Sequence, residues 1–274
     1  MNANPTALPA GCVVAVTGAG QGIGRGIASA FAAQGARLVV SDIRADAAED
    51  TAAALRATGA EAVALRVDVQ RADEAAAQVA LAVQRFGRLD VMVCNAGIVQ
   101  IKPLLDLTAD DWQRMLSVNV TGCFLTLQAA ALQMLTQAPL APGRPRGKIL
   151  ALASIAGRYG AGPIAATMAP YRASKAAVIS LVQSAAITLA PQVTVNALCP
   201  GLVDTDMWRA IDRDLGALQG LGLGEAWRAR TAAVPLGRPQ QPEDVAGLAL
   251  YLASPAADYM TGQSINIDGG LMMN

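Results

Sequence analysis

A chain of 274 residues, 53% of them hydrophobic, is long enough for one large domain or two small ones. Its 21 basic and 21 acidic residues balance to a formal charge of +0, so no long-range field points to nucleic acid or an anionic membrane. Histidine is absent, which removes Ser-His-Asp and Cys-His nucleophiles, HExxH sites and the usual zinc route to alcohol oxidation.

Any proton transfer must therefore use Tyr, Lys, Asp, Glu or Cys. No apolar run of about 18 residues stands free of charge and glycine, so a membrane span is not expected. The opening MNANPTALPAG lacks the basic region and apolar core of a signal peptide, and a cytoplasmic location is expected. Cys12, Cys94, Cys123 and Cys199 are scattered in apolar surroundings and never form CxxC. They read as buried thiols of a reducing compartment, with no metal site.

The stretch VVAVTGAGQGIG, Val13 to Gly24, organises the rest of the chain. Its apolar run suits a buried strand of a parallel sheet, and Gly18, Gly22 and Gly24 suit a tight turn into a helix. A helix beginning near Gly22 would point its N-terminal N–H groups at an anion, with pyrophosphate the natural occupant. RLVVSD, Arg37 to Asp42, is a second strand ending in a carboxylate 18 residues past Gly24. That is the spacing of an acid that bonds the adenosine ribose, and it favours NAD over NADP. Arg44, two residues on, could soften the preference, and a helix cap is the plainer reading of Asp42.

A helical stretch closes at Gly59, and EAVALRVDV supplies a strand ending near Asp68. Asp68 could meet the adenine edge or cap the helix from Arg71 to Phe86. RLDVMVCNAG, Arg88 to Gly97, brings Asn95 and Gly97 to the carboxyl end of the next strand, where open α/β sheets bind ligands. Thr108 is the expected N-cap of a long helical region, with Asp111 three residues on. Asn119 falls inside that region, where asparagine is a poor residue and a local kink is a fair expectation. KILALAS then ends a strand at Ser154.

Tyr171 and Lys175, in YRASK, stand four residues apart and share one face of a helix. The ammonium can favour phenolate and lower the tyrosine pKa, which suits an acid/base in a chain without histidine.

TGAGQGIG, CNAG, Asn119, Ser154, YRASK and CPGLVDT together resemble the short-chain dehydrogenase/reductase family, over roughly residues 11 to 270. The resemblance implies one Rossmann-like, doubly wound domain over 1–274. A parallel seven-stranded sheet would carry helices on both faces, and residues 204–234 would form a small helical substrate lid. It implies a catalytic tetrad of Asn119, Ser154, Tyr171 and Lys175. It also implies NAD contacts from Gly18, Gln21, Gly22, Ile23, Gly24, Asp42, Asp68, Val69, Asn95, Gly97, Tyr171, Lys175, Pro200, Val203 and Thr205. In such a site Tyr171 exchanges a proton with the substrate oxygen and Ser154 orients that oxygen. Lys175 holds the nicotinamide ribose, and Asn119 positions a water linking Lys175 to solvent.

Ser154 and Tyr171 are 17 residues apart, more than the family's usual spacing. The intervening GRYGAGPIAATMAP is expected to arch over the active-site mouth, or to be a surface insertion that touches no substrate. In the lid, Met207, Trp208 and Trp227 offer apolar surface, while Arg209, Arg213, Arg228 and Arg230 could steer an anion or simply solvate its outer face. Glycines 216, 220, 222 and 224 suggest a mobile segment. The leading expectation is an NAD-dependent oxidoreductase of a secondary alcohol, polyol or sugar alcohol and its ketone, working as a homodimer or homotetramer. An NADPH-dependent 3-oxoacyl thioester reductase and a catalytically silent nucleotide sensor are the alternatives.

Overall fold

Val13–Thr17 forms the first strand, β1, and all five of its side chains are buried. Val14 and Val16 face one apolar cluster while Val13 and Ala15 face another, so the alternating pleat feeds a core on each side of the sheet. The computed structural model describes residues 6–139, 141–160 and 163–273.

The chain alternates strands and helices through β1, α1 (Gly22–Ala33), β2 (Arg37–Asp42), α2 (Ala45–Ala57), β3 (Ala62–Arg66), α3 (Ala72–Phe86) and β4 (Val91–Cys94). It continues through α4 (Ala109–Leu116), α5 (Gly122–Thr136), β5 (Gly147–Leu152), α6 (Ala169–Leu189) and β6 (Val193–Pro200). Helices α7 (Asp206–Gln219) and α8 (Glu225–Thr231) leave the core within the expected lid, and α9 (Pro242–Ala253) and β7 (Ser264–Ile267) return to it.

The seven strands are parallel and lie in the order β3-β2-β1-β4-β5-β6-β7. Successive crossovers run outward from β1 to β3 and then back across to β4. The connections after β1 and β4 therefore leave in opposite directions and open a crevice at the strands' carboxyl ends. Ile27 and Phe31 of α1 pack with Leu252 of α9 on one face. Leu127 and Met134 of α5 pack with Val178 and Val182 of α6 on the other. Each such buried side chain contributes about 1.5–3 kcal/mol. The expected parallel sheet with helices on both faces is the one found.

Three local readings shift. Strand β3 stops at Arg66, short of Asp68, and β5 stops at Leu152, two residues before Ser154. Asp68 does not cap α3: its carboxylate accepts from the Gln70 backbone at 3.0 Å, and Arg71 holds the N-cap position. Thr108, by contrast, caps α4 as expected, in a reciprocal box with Asp111.

Residues Ala109–Thr136 run as 28 helical residues with a mean hydropathy of 1.5 in their most apolar window, enough by length and composition to cross a membrane. Here the α5 part of that helix is a core element against α3 and the sheet.

Candidate active site

The glycine loop is built by contact rather than by flexibility alone. Gly18 sits at φ +62, and a Cβ there would lie 2.8 Å from the Ala96 Cα. A Cβ on Gly24 would fall 2.4 Å from the Gly18 carbonyl oxygen and 2.5 Å from Asn95 Nδ2. Asn95 explains the crowding: its Nδ2 donates to the carbonyls of Thr17 at 2.8 Å and Gly18 at 2.9 Å. Thr17 completes the tie, its Oγ1 accepting from the Asn95 and Ala96 backbones at 3.0 and 3.1 Å. This hydroxyl was not singled out from the sequence, because only the β1–β4 pairing brings it to Asn95.

Gly18, Gln21, Gly22 and Ile23 line a cavity of about 830 Å³. Helix α1 opens beside it with Gln21 at the N-cap, whose side chain makes no capping bond, and with no acid in the first turn. Its N–H groups are left for an anion, so the loop fits a dinucleotide pyrophosphate. Asp42 stands at the rim, its Oδ2 accepting from Gly20 N and its Oδ1 from Arg44 N, each at 3.0 Å. The Arg44 guanidinium donates to Gln21 Oε1 at 2.8 Å, close to the same corner. Asp68, Val69, Asn95, Gly97, Pro200, Val203 and Thr205 all line the cavity, so the structure gathers nearly every expected cofactor residue around one space. Gly24 is the exception and lies behind the loop, where it admits the helix to the strand.

Ser154, Tyr171 and Lys175 line the other end of that cavity. Ser154 comes two residues after β5, and its Oγ accepts from Ala156 N at 3.1 Å. The same hydroxyl hydrogen-bonds the Tyr171 phenol, which draws the phenol pKa down, while burial pushes it up and dominates. Lys175, a helical turn on, donates to the Leu152 carbonyl at 2.7 Å, and burial depresses its pKa to about 8. In the protein alone burial thus outweighs the lowering by Ser154, and the expected lowering by Lys175 is not seen.

Asn119 does not reach the cavity. It is buried in a single π-helical turn, Ser117–Thr121, between α4 and α5. Its Oδ1 accepts from Ile98 N at 2.8 Å, and its Nδ2 donates to Ile98 O and to Ser174 Oγ, both at 2.9 Å. Ser174 Oγ then donates to the Tyr171 carbonyl at 2.6 Å. The residue that weakens the helix locally ties the segment after β4 to the helix that carries Tyr171 and Lys175. Ser174 was invisible as a partner from spacing alone.

The long segment between Ser154 and Tyr171 reaches the cavity. Tyr159, Ile164, Ala165 and Met168 line it, and Ile164 and Met168 pack with Ile211, Leu215 and Ala226 of the lid. Ala161 and Gly162, in the middle of the segment, lie outside the described residues.

In the lid itself, the Trp208 and Trp227 rings stand 5.1 Å apart, and Asp212 accepts from Gly224 N and Trp227 N to fasten α8 onto α7. Gly220 and Gly224 take left-handed conformations at the end of α7 and the start of α8. The tail also returns: Asp268 accepts from Gly270 N and Met272 N, and Leu271 and Met272 join the cavity wall. All four cysteines are free and buried, as expected. Among the described residues no cluster of acids and cysteines could hold a metal.

An open parallel sheet whose crevice joins a glycine-lined anion site to a Ser–Tyr–Lys group defines a dinucleotide-type oxidoreductase fold. Comparison with known proteins agrees. A family model described as Enoyl-(Acyl carrier protein) reductase matches residues 18–272. Sorbitol dehydrogenase of Cereibacter sphaeroides is 39% identical over 260 residues, covering 94% of this chain and 96% of its own. L-2,3-butanediol dehydrogenase of Corynebacterium glutamicum is 40% identical over 265 residues, covering 96% and 99%. The crystal structure of a short-chain type dehydrogenase/reductase from Mycobacterium marinum superposes with a TM-score of 0.85 at 37% identity, covering 98% of each chain. The chain belongs to the short-chain dehydrogenase/reductase family, and it is an oxidoreductase of that family.

Proposed function

We propose that this protein is an NAD-dependent oxidoreductase that interconverts a secondary alcohol and its ketone, with Tyr171 as the acid/base. The observation that carries the reading is that the glycine loop, Asp42 and the Ser154–Tyr171–Lys175 group open onto one cavity. The substrate oxygen sits against the Ser154 and Tyr171 hydroxyls. Ser154 orients it, and Tyr171 gives it a proton in reduction or takes one in oxidation. Lys175 would anchor the nicotinamide ribose and, as an ammonium, favour the phenolate form of Tyr171. Asn119 acts from behind, holding the helix of Tyr171 and Lys175 in register. Bound NAD supplies the hydride acceptor, and NADH the donor, for the carbon being changed.

Asp42 supports NAD because a fixed carboxylate at that rim repels a 2′-phosphate. The names of the two relatives, a sorbitol and a butanediol dehydrogenase, support polyols and diols as the first substrates to try. Exposed Phe124 and Leu132 on α5 and Ile187 on α6 support a homodimer or homotetramer that pairs these helices.

The test monitors nicotinamide absorbance with both cofactors against polyols, diols, their ketones and hydroxyacyl thioesters. The expected result is oxidation of a secondary alcohol with NAD preferred over NADP. Acyl-thioester reduction that prefers NADPH would overturn both the substrate class and the role given to Asp42.

A further inference from the structure

The lid carries several arginines, and their surroundings differ. Arg209 pairs with Asp204 and Asp206, Arg213 with Asp214 at 2.8 Å, and Arg228 with Glu225 at 3.9 Å. All three are largely exposed and belong to the lid's outer face. Arg230 is built otherwise. It sits in the last turn of α8 and lines the same cavity as Ser154 and Tyr171. Its Nε is buried without a hydrogen-bond partner, and no carboxylate pairs with it among the described residues.

The acids nearest in the chain are committed elsewhere. Asp206, which also lines the cavity, pairs with Arg209, and Asp212 accepts from the backbone of Gly224 and Trp227. The same cavity has apolar lining from Trp208 and Ile211 of α7, from Ala229 and Ala233, and from Met168 of the Ser154–Tyr171 segment. Burial alone acts on the guanidinium and presses its pKa down, with no acid opposing it. Partly buried cations are costly without a counter-ion, and a guanidinium is suited to grip a carboxylate through two N–H groups. A neutral polyol would leave this cation as it is. An anion would complete it.

We propose that the substrate is a secondary hydroxy acid or its keto acid, bound with its carboxylate on Arg230, an apolar chain along Trp208 and Ile211, and its carbinol at Tyr171. This narrows the substrate class of the reading above and rests on it for the position of the reacting carbon.

The probes are 3-hydroxybutanoate, 4-hydroxypentanoate and 5-hydroxyhexanoate, each beside its neutral amide. Turnover with NAD and binding to the cofactor-loaded protein, by quenching of Trp208 and Trp227 fluorescence, are measured for wild type, Arg230→Gln and Arg230→Lys. At the length that spans the pocket the acid should exceed its amide in kcat/KM and in affinity by roughly ten- to a hundredfold, the worth of a hydrogen-bonded charge. Arg230→Gln should erase that advantage of acid over amide, and Arg230→Lys should restore part of it. Cofactor affinity and the far-UV circular dichroism spectrum report that each variant is folded. Acid and amide behaving alike at every length, or Arg230→Gln weakening both equally, would overturn the proposal. Because binding is read separately, selective binding of an acid without turnover would overturn the oxidoreductase reading's reacting carbon while still upholding the anion site.

Discussion

The Lys175 ammonium stands 5.7 Å from the centre of the Tyr171 ring and donates to the Leu152 carbonyl at 2.7 Å. The pair is thus fastened to β5 from below, next to the strand end that leads to Ser154. Its titration sets the first expectation. Burial lowers the Lys175 pKa from 10.5 to about 8, so the folded protein releases this proton before the unfolded chain does. Below about pH 8 the charged lysine costs the fold about 3 kcal/mol. Stability from this group rises between about pH 8 and 10.5, and the penalty is gone above that window. Urea unfolding of wild type and Lys175→Met across this range should give a difference that changes by about that amount. A difference independent of pH would sink the account.

Tyr171→Phe removes the phenol that bonds Ser154 while leaving the ring in place. Turnover should fall by roughly 10²–10⁴-fold, the worth of a positioned acid/base. Cofactor affinity, measured by fluorescence titration, should stay within a few fold. Retention of a large part of the activity would remove Tyr171 from the proton transfer.

Asp42→Asn keeps one acceptor for the Gly20 or Arg44 N–H and removes the charge. The ratio of kcat/KM for NAD to that for NADP should fall by roughly tenfold or more, since the carboxylate is what disfavours a 2′-phosphate. Arg44, already at that corner through Gln21, is free to favour the phosphate once the acid is neutralised. An unchanged ratio would leave Asp42 only a loop-holding role.

Two glycines should respond in opposite ways. Gly24→Ala drives a methyl to 2.4 Å from a backbone oxygen and should cost about 1–3 kcal/mol through forced backbone shifts. Cofactor binding should weaken with it. Gly247→Ala, within α9, meets nothing within 4 Å and should be neutral or stabilising by up to about 1 kcal/mol. Thermal unfolding of both variants checks the contrast, and similar midpoints would show that the loop yields to the methyl.

Much of the site was legible in one dimension. The β1 run, the glycines after it, Asp42 at the end of β2 and the four-residue spacing of Tyr171 and Lys175 are local patterns. Strand burial, a turn and one helical face need only neighbouring residues to be specified. Element ends were less legible: β5 closes before Ser154 because its pairing with β6 ends at Leu152. Asn119 was readable as a helix irregularity, but its partners, Ile98 and Ser174, come from two other segments.

The sequence by itself determined the alternation of strands and helices, the anion loop and the group that can move a proton, since each is written in spacing along the chain. Tertiary structure decided which arginine of the lid has a buried Nε without a partner among the described residues, that the Ser154–Tyr171 segment packs on that lid, and that Leu271 and Met272 return to the wall. Those features depend on contacts between segments far apart in the chain. Burial and charge pairing are properties of the space the folded elements enclose, and no local pattern encodes them.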